Sequence, residues 1–367
     1  MIFAKDFLKT LSSKTEFFSG VPDSVLKNFT HIIENNKNNI HIVSTNEGSA
    51  VAKGIGYYLS TKNIPCIYMQ NSGLTNALNP LLSISHQKVY SIPLILVIGW
   101  RGSPGSNDEP QHLVMGSITR NILKLSKIKF MILKNNNSLK KIKKLISYAK
   151  KNLTPVAILV ENSTLKIKNE IIKKKKINNN INVRSEVIDY LLSQFKRSVK
   201  IIGTTGFTSR ELEKIKRDKL HKTQCFYMIG GMGHAAMVTL GATIKSSKKI
   251  ICLDGDGSLL MHLGSLTLIK KYGNNKFYHI LLNNGSHESV GRHSTSINDI
   301  NIKETIKSFG YKRYFLIDNK KKLKNLHGII KKYEGPIFIN IKIKTGTLMN
   351  LSRPKNFLRI KNKFMNG

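Results

Sequence analysis

Two short motifs in the second half of the chain have the residue types needed to hold a phosphorylated ligand through a hard cation. The first is Leu253-Asp254-Gly255-Asp256-Gly257-Ser258, which follows the apolar run Ile250–Leu253 and precedes a helical pattern over Leu259–Lys271. Glycines let backbone approach a ligand closely and adopt conformations closed to other residues. A helix N-terminus offers free N–H groups to phosphate oxygens. An aspartate at that corner would repel phosphate unless a cation lay between them. Mg²⁺ does so, through carboxylate, amide and carbonyl oxygens. The second motif, Leu281-Leu282-Asn283-Asn284-Gly285, closes the next apolar run. Asp256 and Asn284 therefore stand at the C-terminal ends of consecutive strands, where open α/β sheets bind ligands. Either motif alone is explained as an ordinary turn, because Asp, Asn and Gly are turn formers. The pair at this spacing points to a site.

Two further segments carry chemistry and a plainer reading side by side. Gly231-Met232-Gly233-His234-Ala235-Ala236 follows a strand-like run and fits G-x-G-x-x-A, with Asp254 near the spacing of a ribose-binding acid. That pattern leaves a dinucleotide-dependent dehydrogenase open, and Met232 reads equally as flexible core filling. Glu47 lies in Ser44-Thr45-Asn46-Glu47-Gly48, after a strand and before the small-residue helix Ala50–Gly56. By itself it is a first-turn acid favoured by the helix dipole, with Asn46 as N-cap.

The elements that must position these residues alternate in type. Strand-like runs in the first half are His41–Ser44, Ile64–Met69, Pro93–Ile98, Phe130–Leu133 and Val156–Val160, with helical periodicity over Val25–Ile33 and Leu139–Ala149 between them. Residues Asn162–Val183 break the rhythm; Lys166–Asn182 is rich in Lys, Asn and Ile and reads as an exposed connector. Alternation resumes with Val199–Gly203, Gln224–Met228, Ile250–Leu253, Tyr278–Leu282, Tyr314–Ile317 and Pro336–Ile341. Short continuous apolar strands between helices mean parallel sheets covered on both faces. The fold class is α/β, with two doubly wound parallel-sheet domains: residues 1–163, a linker over 164–183, a second domain over 184–347, and a basic tail over 348–367.

Composition bounds the alternatives. The chain of 367 residues carries 60 Lys+Arg against 21 Asp+Glu, a formal charge of +39. A nucleic-acid-binding protein is one reading of that charge. The densest runs, Lys140–Lys144 and Lys173–Lys176, sit in Asn- and Ile-rich sequence without interleaved aromatics, which favours a solvated lysine-rich surface. Cys66, Cys225 and Cys252 lack C-x-x-C spacing, so a disulfide framework or structural zinc is not expected and a reducing compartment fits. No run approaches the ~18 apolar residues of a membrane span, and the first residues lack a signal-peptide pattern. A cytoplasmic protein without membrane or specific nucleic-acid partners is expected.

Gly255-Asp256-Gly257 followed by Asn283-Asn284 resembles the signature of thiamin diphosphate-dependent enzymes. Within that group the chain resembles the phosphonopyruvate decarboxylases, with the sulfopyruvate decarboxylases as relatives. The resemblance runs over about residues 1–355 and rests on Phe17–Ser24, Asn46–Gly48, Tyr68–Gly73, Asn76–Pro80, Ile98–Gly102, Asp108–His112, Thr204–Gly206, Thr208–Glu211 and Asn284–Ser289. It implies a pyrimidine-binding domain first, a diphosphate-binding domain second, and no middle domain. It further implies that Asp256, Asn284 and the carbonyl of Ser286 bind Mg²⁺. Glu47 would activate the aminopyrimidine ring, with burial adjusting its carboxyl toward that role. Met232 would sit beneath the cofactor, and Asn71, Thr204, Thr205, Gly206, Gly231, Gly233, His234, Gly255, Gly257 and Ser258 would complete the cofactor site.

The implied reaction is decarboxylation of 3-phosphonopyruvate to phosphonoacetaldehyde and CO₂ in phosphonate biosynthesis, with sulfopyruvate as the alternative substrate. A substrate bearing phosphonate and carboxylate needs fixed donors and cations. Asp23, Ser24, Gln70, Arg101, His112, His287 and Arg292 are the candidates, with His112 and His287 as catalytic partners of Glu47. Asp108 and Glu109 either orient His112 or face solvent. The segment Gly291-Arg292-His293 departs from the family pattern and leaves substrate detail open at Arg292. The resemblance also implies a homodimer or higher homo-oligomer with active sites between chains.

Overall fold

The computed structural model describes residues 1–167, 181–352 and 354–366. The chain divides into two compact units: Met1–Lys173 with Val290–His293, and Lys174–Ser289 with Ser294–Gly367. Of the expected 164–183 linker, residues 168–180, which include the Lys173–Lys176 run, lie outside the described residues. Its flanks are paired rather than loose: Leu165–Lys166 runs parallel to Ile2–Phe3, and Asn182–Val183 runs parallel to Ile343–Lys344.

The first unit is built on six parallel strands: β1 (Phe17–Gly20), β2 (Ile40–Val43), β3 (Cys66–Gln70), β4 (Ile95–Trp100), β5 (Lys129–Leu133) and β6 (Val156–Glu161), in the order 2-1-3-4-6-5. The strand β1 is absent from the runs read from sequence, because Phe-Phe-Ser-Gly is too short and too weakly apolar to stand out. Every residue of β4 is buried, and its side chains divide by the two-residue period of a strand. Ile95 and Val97 enter one core with Phe18, Phe29 and Ile146; Leu96 and Ile98 enter the other with Val51, Leu74 and Leu123. Helices on both faces thus explain the continuous apolar sequence.

The second unit repeats the plan. Its strands are β7 (Val199–Gly203), β8 (Gln224–Tyr227), β9 (Lys249–Gly255), β10 (Phe277–Asn283), β11 (Arg313–Ile317) and β12 (Ile337–Lys344). They are ordered 8-7-9-10-12-11 and again all parallel. Subtracting six gives 2-1-3-4-6-5, the order of the first sheet. Each sheet therefore reverses its winding between its first and third strands, which opens a crevice at the strand ends. In the first unit that point falls at Val21–Ser24 and Asn71; in the second, at Thr204–Gly206 and Asp256.

One expected element differs in detail. The helical run over Leu259–Lys271 is broken into Asp256–Met261, a 3-10 segment Leu263–Leu268 and Ile269–Tyr272. The break is at His262, which leaves helical geometry (φ −133°, ψ 42°) and stacks on His234 with ring centroids 4.5 Å apart. The basic tail is not loose: Phe357–Asn366 is a helix on the second unit. Phe364 packs on Phe226 at 5.7 Å, and its carbonyl accepts from Lys200 Nζ (2.8 Å) and Gln224 Nε2 (3.1 Å). Among the described residues no helix is long and apolar enough to cross a membrane.

Deleting residues after Asn356 strips that ring contact and both hydrogen bonds from β7 and β8. A loss of ~1–2 kcal/mol is expected, read as a melting temperature lower by ~3–6 °C. An unchanged melting temperature would show that the helix adds nothing to the second unit.

Candidate active site

In the second unit the expected metal ligands converge. Gly255 ends β9 and Asp256 opens the helix Asp256–Met261. Asp256 is 3% exposed; its Oδ1 accepts from the Gly257 N–H (2.8 Å), and its Oδ2 from the Ser286 N–H (3.1 Å) and Thr295 Oγ1 (3.2 Å). Burial pushes this carboxyl up, and the Gly257, Thr295, Gly285 and Ser286 donors offset only part of the effect. Asn284 Oδ1 accepts from the same Ser286 N–H (3.0 Å). Two side-chain oxygens from neighbouring strand ends thus gather at one peptide, and the third expected ligand, the Ser286 carbonyl, belongs to that residue. Ser286 Oγ is buried without a hydrogen-bond partner. A desolvated carboxylate, an amide oxygen and an unpartnered hydroxyl form a hard-oxygen set that fits Mg²⁺.

The residues expected around the diphosphate are tied together by Ser258. Its Oγ accepts from the Gly233 N–H (3.1 Å) and bonds Thr204 Oγ1 (2.9 Å), so the end of β7 and the Gly231–Gly233 turn are fixed to the Asp256 helix. Gly257 is required by contact: a methyl group there would lie 2.5 Å from His287 Cε1 and 3.4 Å from Met232 Cε. Met232 and the buried His287 therefore flank the Asp256 turn. His262 joins this region unforeseen, stacked on His234 with Nε2 buried and unpartnered. Burial, then the charge of His234, holds its imidazole below the ordinary value.

Asp254 is not a ribose ligand. It is 2% exposed, accepts from the Gly255 N–H (2.9 Å) and faces His279 Nε2 (3.3 Å), whose Nδ1 meets Tyr311 Oη at 2.8 Å. This buried network removes the acid that a dinucleotide site would need. Cys252 has its sulfur within 4.8 Å of the ligating atoms of Asp254 and His279, but burial pushes its thiol well up and both imidazole nitrogens are already engaged.

The first unit holds two clusters joined through the Asn71–Gly73 turn that follows β3. Glu47 opens the helix Glu47–Thr61 with Asn46 as its N-cap, whose side chain accepts from the Ser49 N–H (2.8 Å). Glu47 is 5% exposed, and its Oε2 accepts from Asn76 Nδ2 (3.0 Å). A methyl group at Gly73 would lie 2.3 Å from Glu47 Oε1, so only glycine lets the carboxylate rest there.

Beyond β4, Arg101 forks onto Asp108 (Nε to Oδ2 2.7 Å, Nη2 to Oδ1 2.5 Å) and donates from Nη1 to Ser24 Oγ (2.9 Å). Burial alone would raise Asp108, but the bonds from Arg101 and the Glu109 and Gly102 N–H groups outweigh it and hold the carboxyl far below its usual range. Asp108 thus orients Arg101. Asp23 Oδ1 accepts from the Val25 and Leu26 N–H groups (2.8 and 2.9 Å), while Oδ2 is buried without a partner. Burial pushes Asp23 up to about 6 against the pull of those N–H groups and of Arg101.

The other expected residues are less engaged. Asn71 spends its amide on the Arg101 backbone (2.9 and 3.1 Å) and Thr119 Oγ1 (3.0 Å), which makes it a clamp on Arg101. Gln70 Nε2 bonds Ser72 Oγ (2.6 Å). His112 lies in the first turn of the helix Pro110–Leu125. Arg292 is exposed, in left-handed backbone (φ 64°), whereas His293 is fully buried against Thr30 Oγ1 (2.8 Å) and Glu34 (2.9 Å). Sequence reasoning missed Thr295, His262 and Glu288, the last bonded to Asn284 Nδ2 at 3.1 Å. Glu288 alone had a signal: it stands four residues after Asn284 in the segment Asn284–Ser289.

Comparisons with known proteins place the chain in a family. Residues 1–121 match the family described as thiamine pyrophosphate enzyme, N-terminal TPP binding domain, and residues 202–341 match its C-terminal TPP binding domain. The chain is 28% identical over 354 residues to a phosphonopyruvate decarboxylase of Streptomyces viridochromogenes, covering 92% of this chain and 87% of that protein. It is 29% identical over 373 residues to one from Streptomyces hygroscopicus, covering 97% and 91%. A sulfopyruvate decarboxylase subunit alpha of Methanocaldococcus jannaschii is 35% identical over 150 residues, covering 41% of this chain and 86% of that subunit.

Gly73→Ala is expected to drive the Glu47 carboxylate off Asn76, at a cost of ~1–3 kcal/mol typical of overpacking. Gly73→Ala combined with Glu47→Ala should recover most of that loss in thermal or denaturant unfolding. Equal destabilisation with and without Glu47 would show that the clash lies elsewhere.

Proposed function

Since the chain belongs to the thiamine pyrophosphate enzymes, we propose that it decarboxylates 3-phosphonopyruvate, giving phosphonoacetaldehyde and CO₂ with uptake of one proton. The observation that carries the reading is the convergence of Asp256 and Asn284 oxygens on the Ser286 N–H at the end of β9 and β10. The names of the long-matching relatives supply the substrate. Phosphonate biosynthesis, Mg²⁺ as the metal, and a homo-oligomer in which Glu47 of one chain serves the metal-bearing unit of another belong to the same proposal. When bound, thiamin diphosphate supplies the electron sink for the pair released as CO₂ leaves.

The chain's own residues do the rest. Asp256, Asn284 and the Ser286 carbonyl would hold the cation, which would neutralise the diphosphate. Ser258 fixes Thr204 and Gly233 as the cradle, and Met232 shapes its floor. Glu47 would face the pyrimidine ring and bond to its nitrogen. Arg101, made rigid by Asp108, presents Nη1 beside Ser24 to the anionic end of the substrate. Asp23, with one buried oxygen free, holds and gives a proton near the reacting carbon. His112 and His287 are the remaining donors.

The direct test is CO₂ release from 3-phosphonopyruvate with and without thiamin diphosphate and Mg²⁺. Activity should require both and fall at least ~10²-fold in Glu47→Gln and Asp256→Ala. Full activity in both variants would sink the assigned roles, and faster turnover of sulfopyruvate would transfer the reading to that substrate.

A second expectation concerns pH. Asp23 is neutral below about 6 and charged above it. An ionised Asp23 repels a multiply anionic substrate and has no proton to give. The ratio kcat/KM should therefore fall as pH rises through about 6, and this limb should vanish in Asp23→Asn. A limb retained in Asp23→Asn would assign it to the substrate or another group.

A further inference from the structure

We propose that Glu288 is a positioning residue that sets the side-chain amide of Asn284 with its oxygen toward Asp256, and that Arg184 is the buried counter-charge that lets it do so. The proposal rests on the reading of Asp256 and Asn284 as cation ligands. An asparagine amide has an oxygen at one corner and an NH₂ at the other, and only the oxygen can meet a cation. Asn284 lies between two carboxyl groups, so its orientation is not decided by its own chemistry. Without a cation, Asp256 would attract the NH₂. The structure supplies a competing acceptor: Asn284 Nδ2 donates to Glu288 Oε2 (3.1 Å), while Oδ1 turns to the Ser286 N–H (3.0 Å) that Asp256 also accepts.

Glu288 is held as an acceptor on every side. Its Oε1 takes the Gly346 N–H, and its Oε2 takes Arg184 Nη2 as well as Asn284. Arg184, 4% exposed, also reaches the fully buried Glu211 through Nη1 (3.3 Å) and the Gly346 carbonyl (3.5 Å). Glu211 Oε1 in turn accepts from Thr347 Oγ1 (2.9 Å) and the Leu348 N–H (3.1 Å), and its Oε2 has no partner. Burial raises the Glu211 carboxyl against the pull of Arg184, Thr347 and Leu348. The cluster ties the start of the helix Arg184–Phe195 and the segment after β12 to the orientation of one amide.

The test is calorimetric titration of Mg²⁺ into the apoprotein in saturating thiamin diphosphate, which reads binding rather than turnover. Glu288→Gln and Glu288→Asp should each weaken Mg²⁺ by ~10–100-fold, the usual effect of losing a partner that orients a ligand. Glu211→Gln, in the same cluster but away from Asn284, should lower the melting temperature and leave Mg²⁺ affinity within twofold. Asn284→Asp presents oxygen in either orientation, so adding it to Glu288→Gln should restore affinity relative to Glu288→Gln alone. Equal loss of affinity in Glu211→Gln, or no rescue by Asn284→Asp, would reduce Glu288 to a structural role. Unchanged affinity in Asp256→Ala would instead overturn the cation site on which the proposal rests.

Discussion

The second unit depends on a carboxylate kept away from water at the end of a strand. An isolated buried charge is costly and resolves itself by taking up a proton or finding a counter-charge. Asp256 sits between those outcomes. Backbone and hydroxyl donors from three segments satisfy its lone pairs in part, yet burial still holds its carboxyl above the ordinary value. On the proposed reading, a divalent cation bound there would complete what those donors leave unfinished. The glycine at 257, the Ser258 ties and the Ser286 turn all serve to keep that carboxylate in one place.

The repeated strand order explains why chemistry collects where it does. Each sheet winds outward from its first strand, and the loops at the reversal point in the same direction along parallel strands. In the first unit this crevice holds Asp23, Ser24 and the Asn71–Gly73 turn; in the second it holds Thr204 and Asp256. The two crevices differ in the groups they gather. The second is acidic and built from oxygen ligands. The first pairs a guanidinium fork with a carboxyl that burial pushes up to about 6 against the pull of neighbouring N–H groups and Arg101.

Much of this was legible in the sequence because it follows from local chemistry. Continuous apolar runs gave the buried strands, and the Gly-Asp-Gly and Asn-Asn pairs marked the strand ends. What was not legible is pairing across distance. From sequence Asp108 reads either as a partner for His112, four residues on, or as a solvent-facing acid; the fold turns it back on Arg101 instead. Asn71 looked like a ligand-facing amide, but the loop after β4 closes over it and takes both of its ends. Phe17–Gly20 escaped notice because four residues carry no periodicity, although the strand lies beside the centre of its sheet. Thr295 reaches Asp256 across 39 positions, and nothing in its own neighbourhood foretells that contact.

Among the described residues, the dense Lys140–Lys144 run lies on a solvent-facing helix surface. Lys140, Lys141, Lys143 and Lys144 are exposed on the helix Asn137–Asn152, whose buried stripe is Ile142, Leu145, Ile146 and Ala149. That is a solvated face over an ordinary core, screened within ~8 Å at physiological salt. The guanidinium groups that matter are few and withdrawn: Arg101 and Arg184 are largely buried, and each is committed to a carboxylate. Commitment of that kind lowers net charge but fixes direction, because a planar fork bound on one edge can present only the other. A lysine on a flexible stem would keep more free charge and lose that geometry. On the proposed reading, selectivity for a small, multiply anionic substrate would rest on one oriented edge of Arg101 beside Ser24, with the exposed lysines serving solubility.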